Sequence, residues 1–260
     1  MPAPGGADET VGPTGRAPDG AEPGDGAEPD ADGRGSVLRA DRLAVGYGDV
    51  QVCAPFGLTV GPGEIVAVIG ANGSGKSTVL RTVLGLLPPI DGTVSVLGRE
   101  VDERDRSFRR AVAGVLDADA YFPGLTTREH LVLTARGFGV PSAGAVVDEV
   151  LETVGIVHQA DTVPEALSSG QRRRLLLATA FVRPRQLLVL DEPEQRLDVR
   201  MRRTLAGMLR EETERGGAVL FATHDETLLR ETGSPALLVT EEECRVLAPD
   251  AAADLLAAGL

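Results

Sequence analysis

Lysine is all but missing from this chain of 260 residues: of 26 basic side chains 25 are arginine, and the exception is Lys76. Tryptophan is absent and aromatic residues make up 3%, which leaves little surface on which single-stranded nucleic acid could stack. A net charge of −13 points the same way, away from nucleic acid as a partner. No apolar run approaches the roughly 18 residues that a membrane-crossing helix needs, and no charged-then-apolar leader opens the chain, so a cytosolic location is expected. Only two cysteines occur, Cys53 and Cys244. They are too few and too far apart to suggest a disulfide framework or a metal site, and read as small buried hydrophobes. The 42% of hydrophobic residues is enough for one sizeable core, or for one core with a subdomain.

Residues 1–36 carry eight of the acids against Arg16 and Arg34, with nine glycines, six prolines and Val11 as the only branched aliphatic side chain. Such a segment cannot bury enough apolar surface to offset its ordering entropy, and an acidic disordered tail is expected there.

The one lysine sits in residues 70–78, GANGSGKST. The stretch follows the apolar run 65–69, which reads as a buried strand, and precedes residues 79–84, which read as a helix. Gly-x4-Gly-Lys-Ser between a strand and a helix is the setting of a phosphate loop. Gly70, Gly73 and Gly75, with Asn72, Ser74 and Thr78 around them, let backbone N–H groups approach phosphate oxygens at the positive end of the following helix. Lys76 supplies a compact charge to the β- and γ-phosphates, and the hydroxyl of Ser77 ligates Mg2+.

Upstream, residues 37–38, 43–45 and 56–60 suggest short strands leading through the turn 61–63. Tyr47, between Gly46 and Gly48, either offers a face to a nucleotide base or is an ordinary surface tyrosine. Downstream, strands are expected over 93–97 and 111–116, then helices over 126–135 and 145–154, so that roughly 120–165 forms a mostly helical insert on an α/β core. Ser168 and Ser169 are N-cap candidates for a helix over 172–181 whose basic first turn opposes the macrodipole, a conflict that a docked anion would relieve.

Residues 187–190 read as a second fully buried strand, ended by Asp191 and Glu192. Carboxylates at the carboxyl end of a parallel strand lie where such sheets bind ligands, which suits Asp191 to hold Mg2+ through water and Glu192 to polarise an attacking water. After an amphipathic helix over 197–215, a third buried strand, 217–223, ends at His224, which brings that imidazole toward the same crevice.

This order of motifs resembles the nucleotide-binding subunit of ABC transporters, over about residues 37–245. Tyr47 matches the adenine-stacking aromatic, residues 70–78 the Walker A loop, residues 167–171 the LSGGQ signature, residues 187–192 the Walker B strand with its catalytic glutamate, Leu197 and Asp198 the end of the D-loop, and His224 the switch histidine. The resemblance implies a P-loop NTPase core of ABC type, α/β, with an antiparallel β subdomain and a helical subdomain. It implies a domain over 37–248 and a short C-terminal helix over 249–260. ATP and Mg2+ are the implied ligands: Lys76, Ser77 and Asp191 hold them, Glu192 and His224 act at the γ-phosphate, and Ser168, Gly170 and Gln171 face the nucleotide of a second copy. The partners implied are a second nucleotide-binding domain, identical or not, and a separate transmembrane permease, with the chain peripheral on the inner face of the membrane and a lean toward export.

Three departures from the family pattern stand out. Ser169 replaces the first glycine of the signature pair, Asp117 occupies the Q-loop position where it could still reach Mg2+ or its water, and Glu194, Gln195 and Arg196 replace small D-loop residues. A soluble ABC-type ATPase acting as an assembly or scaffold factor is the alternative of a different class. A small-molecule kinase using the same loop leaves residues 168–171 and His224 without roles.

Overall fold

The computed structural model describes residues 35–116 and 121–260; the tail expected over 1–36 lies outside the described residues except for its last two, and so does Asp117. The chain begins with β1 (Leu38–Ala44), the two-residue hairpin strands β2 (Gly46–Tyr47) and β3 (Val50–Gln51), and β4 (Phe56–Val60). β5 (Ile65–Ile69) and α1 (Lys76–Val83) follow, then β6 (Asp91–Val96) and β7 (Arg99–Glu100). β4, β1, β6 and β7 form an antiparallel sheet in that order, with Ala40 opposite Leu58 on one side and Val94 on the other. The alternating burial of β4 is what a sheet with a single packed face requires.

A second sheet has six strands in the order β12-β11-β5-β10-β9-β8. It uses β8 (Val112–Val115) after α2 (Arg106–Ala111), β9 (Leu187–Asp191), β10 (Ala218–Ala222), β11 (Ala236–Val239) and β12 (Cys244–Leu247). All its pairings are parallel except β11 with β12. Because successive side chains point to opposite faces, each central strand divides its residues between two cores. Ala67, Leu188, Leu190, Val219 and Phe221 pack on the side of the later helices, while Val68, Leu187, Val189 and Leu220 pack on the side of α1 and the antiparallel sheet. A strand covered on both faces has no solvent side to alternate with, which is why β5, β9 and β10 read as unbroken apolar runs.

Between β8 and β9 lie α3 (Thr127–Gly137), α4 (Ala143–Thr153), two short 3-10 turns and α5 (Ser169–Phe181). α6 (Val199–Glu214) follows β9, α7 (Glu226–Thr232) follows β10, and α8 (Pro249–Ala257) closes the chain. Reciprocal capping boxes start two of these: Thr126 with Glu129 on α3, and Ser168 with Gln171 on α5.

The strand expected over 111–116 starts one residue later, because Asp105 caps a short helix, accepting from the Ser107 N–H at 2.6 Å, and Ala111 is that helix's last residue. α2, α7, β11 and β12 were not expected. The two helices are six and seven residues long, too short to show a helical period, and the four residues of β12 do not alternate between buried and exposed.

Phe221 lies in β10 with no exposed surface, and that strand is hydrogen-bonded to a neighbour on each side. Phe221→Ala is expected to destabilise the fold by about 3–5 kcal/mol. Chemical denaturation should show this as a lowered midpoint at unchanged slope; a loss below about 1 kcal/mol would mean the β10 core does not depend on that ring.

Candidate functional site

Three strands that are remote in sequence end side by side. β10 is hydrogen-bonded between β5 and β9, and its Ala222 pairs with Val68 on one flank and Asp191 on the other. The ladder continues past the strand ends, with Glu192 N–H donating to Ala222 O at 2.9 Å and Thr223 N–H to Val68 O at 3.2 Å. Gly70, Asp191, Glu192 and His224 therefore leave the carboxyl edge of one sheet, the position where parallel sheets take ligands.

The loop after β5 is held close to its surroundings. A Cβ at Gly70 would sit 2.5 Å from both Ser74 Oγ and Val239 O. Gly75, the N-cap of α1, has φ 104° and would bring a Cβ to 2.7 Å from Val52 Cγ2. Lys76 opens the helix and is buried; its Nζ donates to Gly70 O at 2.8 Å and Ala71 O at 3.1 Å. Those bonds fix the ammonium beneath the loop and use two of its three donors.

Beside it the Ser77 hydroxyl lies against the Asp191 carboxylate, whose ionisation it favours. Burial pushes the Asp191 carboxyl above its ordinary range and the Ser77 hydroxyl pulls it back, while the neighbouring Glu192 charge adds to the rise. Asp191 Oδ1 and Ser74 Oγ are buried without hydrogen-bond partners. An orphaned, desolvated carboxylate oxygen next to a serine hydroxyl is a donor set that fits a hard divalent cation. Among the described residues no group of three or more His, Cys, Asp and Glu forms a metal cluster, so such a cation would take most of its ligands from water or phosphate.

Glu192 adopts φ 44°, and Arg196 φ 61°, so the chain turns sharply at both ends of this short loop. His224 Nδ1 lies 3.4 Å from Glu192 Oε1 and 3.9 Å from Glu194 Oε1. Gln195 Nε2 donates to Glu192 Oε2. Glu194 is buried, accepts from Thr223 Oγ1 at 2.7 Å through Oε1, and has no partner at Oε2. Burial holds its carboxyl above the usual glutamate range, against the Thr223 bond. Arg173 reaches across from α5 to the backbone, donating to Glu192 O at 2.7 Å and to Asp191 O.

Ser168 N–H donates to Gln171 Oε1 at 2.8 Å and Gln171 N–H to Ser168 Oγ at 3.3 Å, so each side chain satisfies the other residue's backbone N–H at the start of α5. Gly170 sits where a Cβ would meet Arg196 O at 2.9 Å. None of the described hydrogen bonds joins these three residues to the loop at 70–78. The docked anion expected at the α5 N-terminus is not needed to relieve its arginines: Arg172 donates to Leu167 O, Arg173 to the carbonyls just named, and Arg174 to Val154 O and Asp198. Tyr47 is half-exposed with its hydroxyl tethered to α1, accepting from Arg81 at 2.9 Å and bonded to Thr78, and those bonds hold its phenol below the ordinary range. Asn72 and Gly73 are exposed on the loop.

Arg173, Glu194, Gln195 and Thr223 were not among the residues expected here. Arg173 gave no separate signal, being one of three consecutive arginines at the start of α5; Glu194 and Gln195 were noted only as departures from the D-loop pattern, and Thr223 only as the end of a strand.

The family model described as ABC transporter matches residues 53–195. Nod factor export ATP-binding protein I of Paraburkholderia xenovorans (strain LB400) is 35% identical over 191 residues, covering 73% of this chain and 63% of that protein. The protein of the same name from Burkholderia orbicola (strain AU 1054) is 39% identical over 180 residues, 68% of this chain and 59% of that one. The chain thus spans about three fifths of the length of these curated relatives. A solved structure described as an ATP binding subunit of an ABC transporter superposes with a TM-score of 0.77 at 24% identity, over 85% of this chain and 94% of the other. For cbiO1 from Clostridium perfringens, part of the ABC transporter complex cbiONQ, the TM-score is 0.70 at 24% identity, over 84% and 90%. At that identity the likeness concerns the fold.

The raised Glu194 carboxyl carries a pH signature. Its protonated form suits the fold, so its contribution is fully present below the ordinary glutamate pKa of about 4.3 and is lost as pH rises through the raised value. Glu194→Gln cannot ionise, and its melting temperature relative to wild type should climb from acidic to neutral pH. A difference that stays constant across pH would show that Glu194 keeps its ordinary pKa.

Proposed function

This chain belongs to the ABC transporter family, and we propose on that premise that it binds and hydrolyses ATP to drive a separate transmembrane permease. The observation that carries the reading is the meeting of Lys76, the neighbouring pair Ser77 and Asp191, and the close pair Glu192 and His224 at one sheet edge. The ATPase domain is assigned to 37–248, with the helical subdomain at roughly 120–165 and a short terminal helix over 249–260.

Phosphoryl transfer depends chiefly on positioning and on stabilising charge. The loop N–H groups from Gly70 to Thr78 wrap the phosphates, Lys76 directs its remaining donor to the β- and γ-oxygens, and the half-exposed ring of Tyr47 takes the adenine. Ser77 and Asp191, with Asp117 as the sequence pattern suggests, would hold Mg2+, which when bound would neutralise charge on the phosphate oxygens. Glu192 accepts the proton of the attacking water, held in place by Gln195 and by His224, whose imidazole faces the γ-phosphoryl group. Across a head-to-tail dimer, Ser168, Gly170 and Gln171 of the second copy face the same phosphate, the capping box of Ser168 and Gln171 fixing the first α5 turn so that the Gly170 N–H is directed toward it.

Docking to a permease is supported by a groove of about 510 Å³ lined by Leu84, Phe108, Phe122, His130, Phe138 and Leu176, with Phe122 half-exposed at its edge. His130 orders that wall: Phe122 N–H donates to its Nδ1 at 3.3 Å, so its Nε2–H faces Thr179 Oγ1 at 3.1 Å, and burial lowers its pKa. Among the described residues no helix is long and apolar enough to cross a membrane, which is why a separate spanning partner, with this chain on the inner face, is part of the reading. The relatives named for Nod factor export support an outward direction.

Glu192→Gln should retain ATP, accumulate as a dimer in its presence, and lose at least about 100-fold in turnover. Lys76→Ala should fail to retain nucleotide. Steady hydrolysis at the wild-type rate by Glu192→Gln would reject the assignment, and co-purification of a polytopic membrane protein with that variant would identify the permease.

A further inference from the structure

The two cysteines are remote in sequence yet meet in the fold. Cys53 is buried on the segment between β3 and β4, Cys244 is half-buried at the first position of β12, and the two thiols are neighbours that perturb one another's ionisation. Backbone contacts hold the pair together. Ala54 N–H donates to Thr240 O at 2.9 Å, Cys244 lies opposite Val239 in the β11–β12 ladder, and its Sγ is 3.7 Å from Thr240 O. On its other side Cys53 abuts the phosphate loop: a Cβ at Gly75 would come within 3.8 Å of Cys53 Cβ.

We propose that Cys53 and Cys244 form a reversible disulfide site that reacts with hydroperoxides and, when closed, distorts the phosphate loop against which Cys53 packs. The thiols are unequal in the way such a pair requires. Cys244 is the more exposed of the two and its contact with Cys53 lowers its pKa, favouring the thiolate there, while the same contact and burial push Cys53 upward. The Cys244 thiolate attacks one oxygen of the peroxide, the O–O bond breaks, and the departing oxygen takes a proton to leave as water or alcohol; the sulfur becomes a sulfenic acid. Cys53 then gives up its proton and attacks that sulfur, and hydroxide leaves as water. Two thiols have been oxidised by two electrons and the peroxide reduced. A dithiol reductant reverses the change by exchange through a mixed disulfide.

The chain holds only these two cysteines, so the test is direct. The full chain is treated with hydrogen peroxide, and free thiols, peptide linkage and sulfenic acid trapped by a cyclic 1,3-dione are measured. Both thiols should be lost together, an intramolecular 53–244 peptide should be recovered, and dithiothreitol should restore both. Cys53→Ser should trap as a sulfenic acid at residue 244, whereas Cys244→Ser should leave Cys53 unreactive. Independent loss of the two thiols, or linkage only between chains, overturns the proposal. Its effect on the loop rests on the nucleotide-binding reading: a fluorescent ATP analogue should bind the oxidised chain at least about tenfold more weakly than the reduced one, with the Cys53→Ser, Cys244→Ser double variant indifferent to peroxide. A disulfide that forms without that change overturns the coupling to the loop but leaves nucleotide binding intact, whereas failure of the reduced chain to bind the analogue rejects the nucleotide reading.

Discussion

The registered pairing of β10 between β5 and β9 is the constraint on which the site depends. Slipping either neighbour by one residue would invert its side chains between the two cores, exchanging the set that includes Leu188 and Leu190 with the set that includes Leu187 and Val189. Since both faces are packed, neither register error is tolerated, and the strand ends are held to one depth. The phosphate loop, the two acidic residues and the histidine are thus aligned by hydrophobic packing well behind them, before any of them touches a ligand.

At that edge the fold accepts electrostatic cost. Asp191 and Glu194 are buried carboxyls whose raised pKa values record desolvation with incomplete compensation, and one oxygen of each has no partner. The compensation within the chain comes from Ser77 and the more distant charges of Arg173 and Arg81 for Asp191, and from Thr223, a backbone N–H and His224 for Glu194. Such a site favours an arriving cation for the same reason that it destabilises the chain without one. Lys76, in a chain otherwise given to arginine, fits this setting because a compact ammonium can sit beneath the loop on two carbonyls and still offer a donor upward, which a planar guanidinium of greater width cannot do.

What was legible in the sequence follows from these same pressures. β5, β9 and β10 showed as apolar runs because burial on two faces removes polar alternation, and the loop at 70–78 showed because glycine, lysine and serine are each required at fixed spacing. The short elements β11, β12, α2 and α7 did not, since four to seven residues carry too little period to distinguish strand, helix and turn. Side-chain meetings across long sequence separation were also hidden. Cys53 and Cys244 looked unrelated because what unites them is the placement of β12 beside β11, and neither strand was visible. Arg173 looked like one of three basic residues opposing a helix dipole, whereas each of the three already has acceptors within the chain.

The loop over residues 194–196 shows how a departure from a family pattern is absorbed. Glu194 is buried on Thr223, Gln195 holds Glu192, and Arg196 turns with positive φ so that its carbonyl lies against Gly170. Together with the Arg173 bonds to the carbonyls of residues 191 and 192, these contacts tie the start of α5, the end of β9 and the end of β10 into one unit. A rigid shift of α5 must then displace the backbone carrying Glu192 or break buried hydrogen bonds, each of which leaves a desolvated polar group. Where small residues would leave the ends of α5 and β9 free to move separately, this chain couples the start of α5 to the backbone carrying Glu192 through contacts made entirely within one molecule.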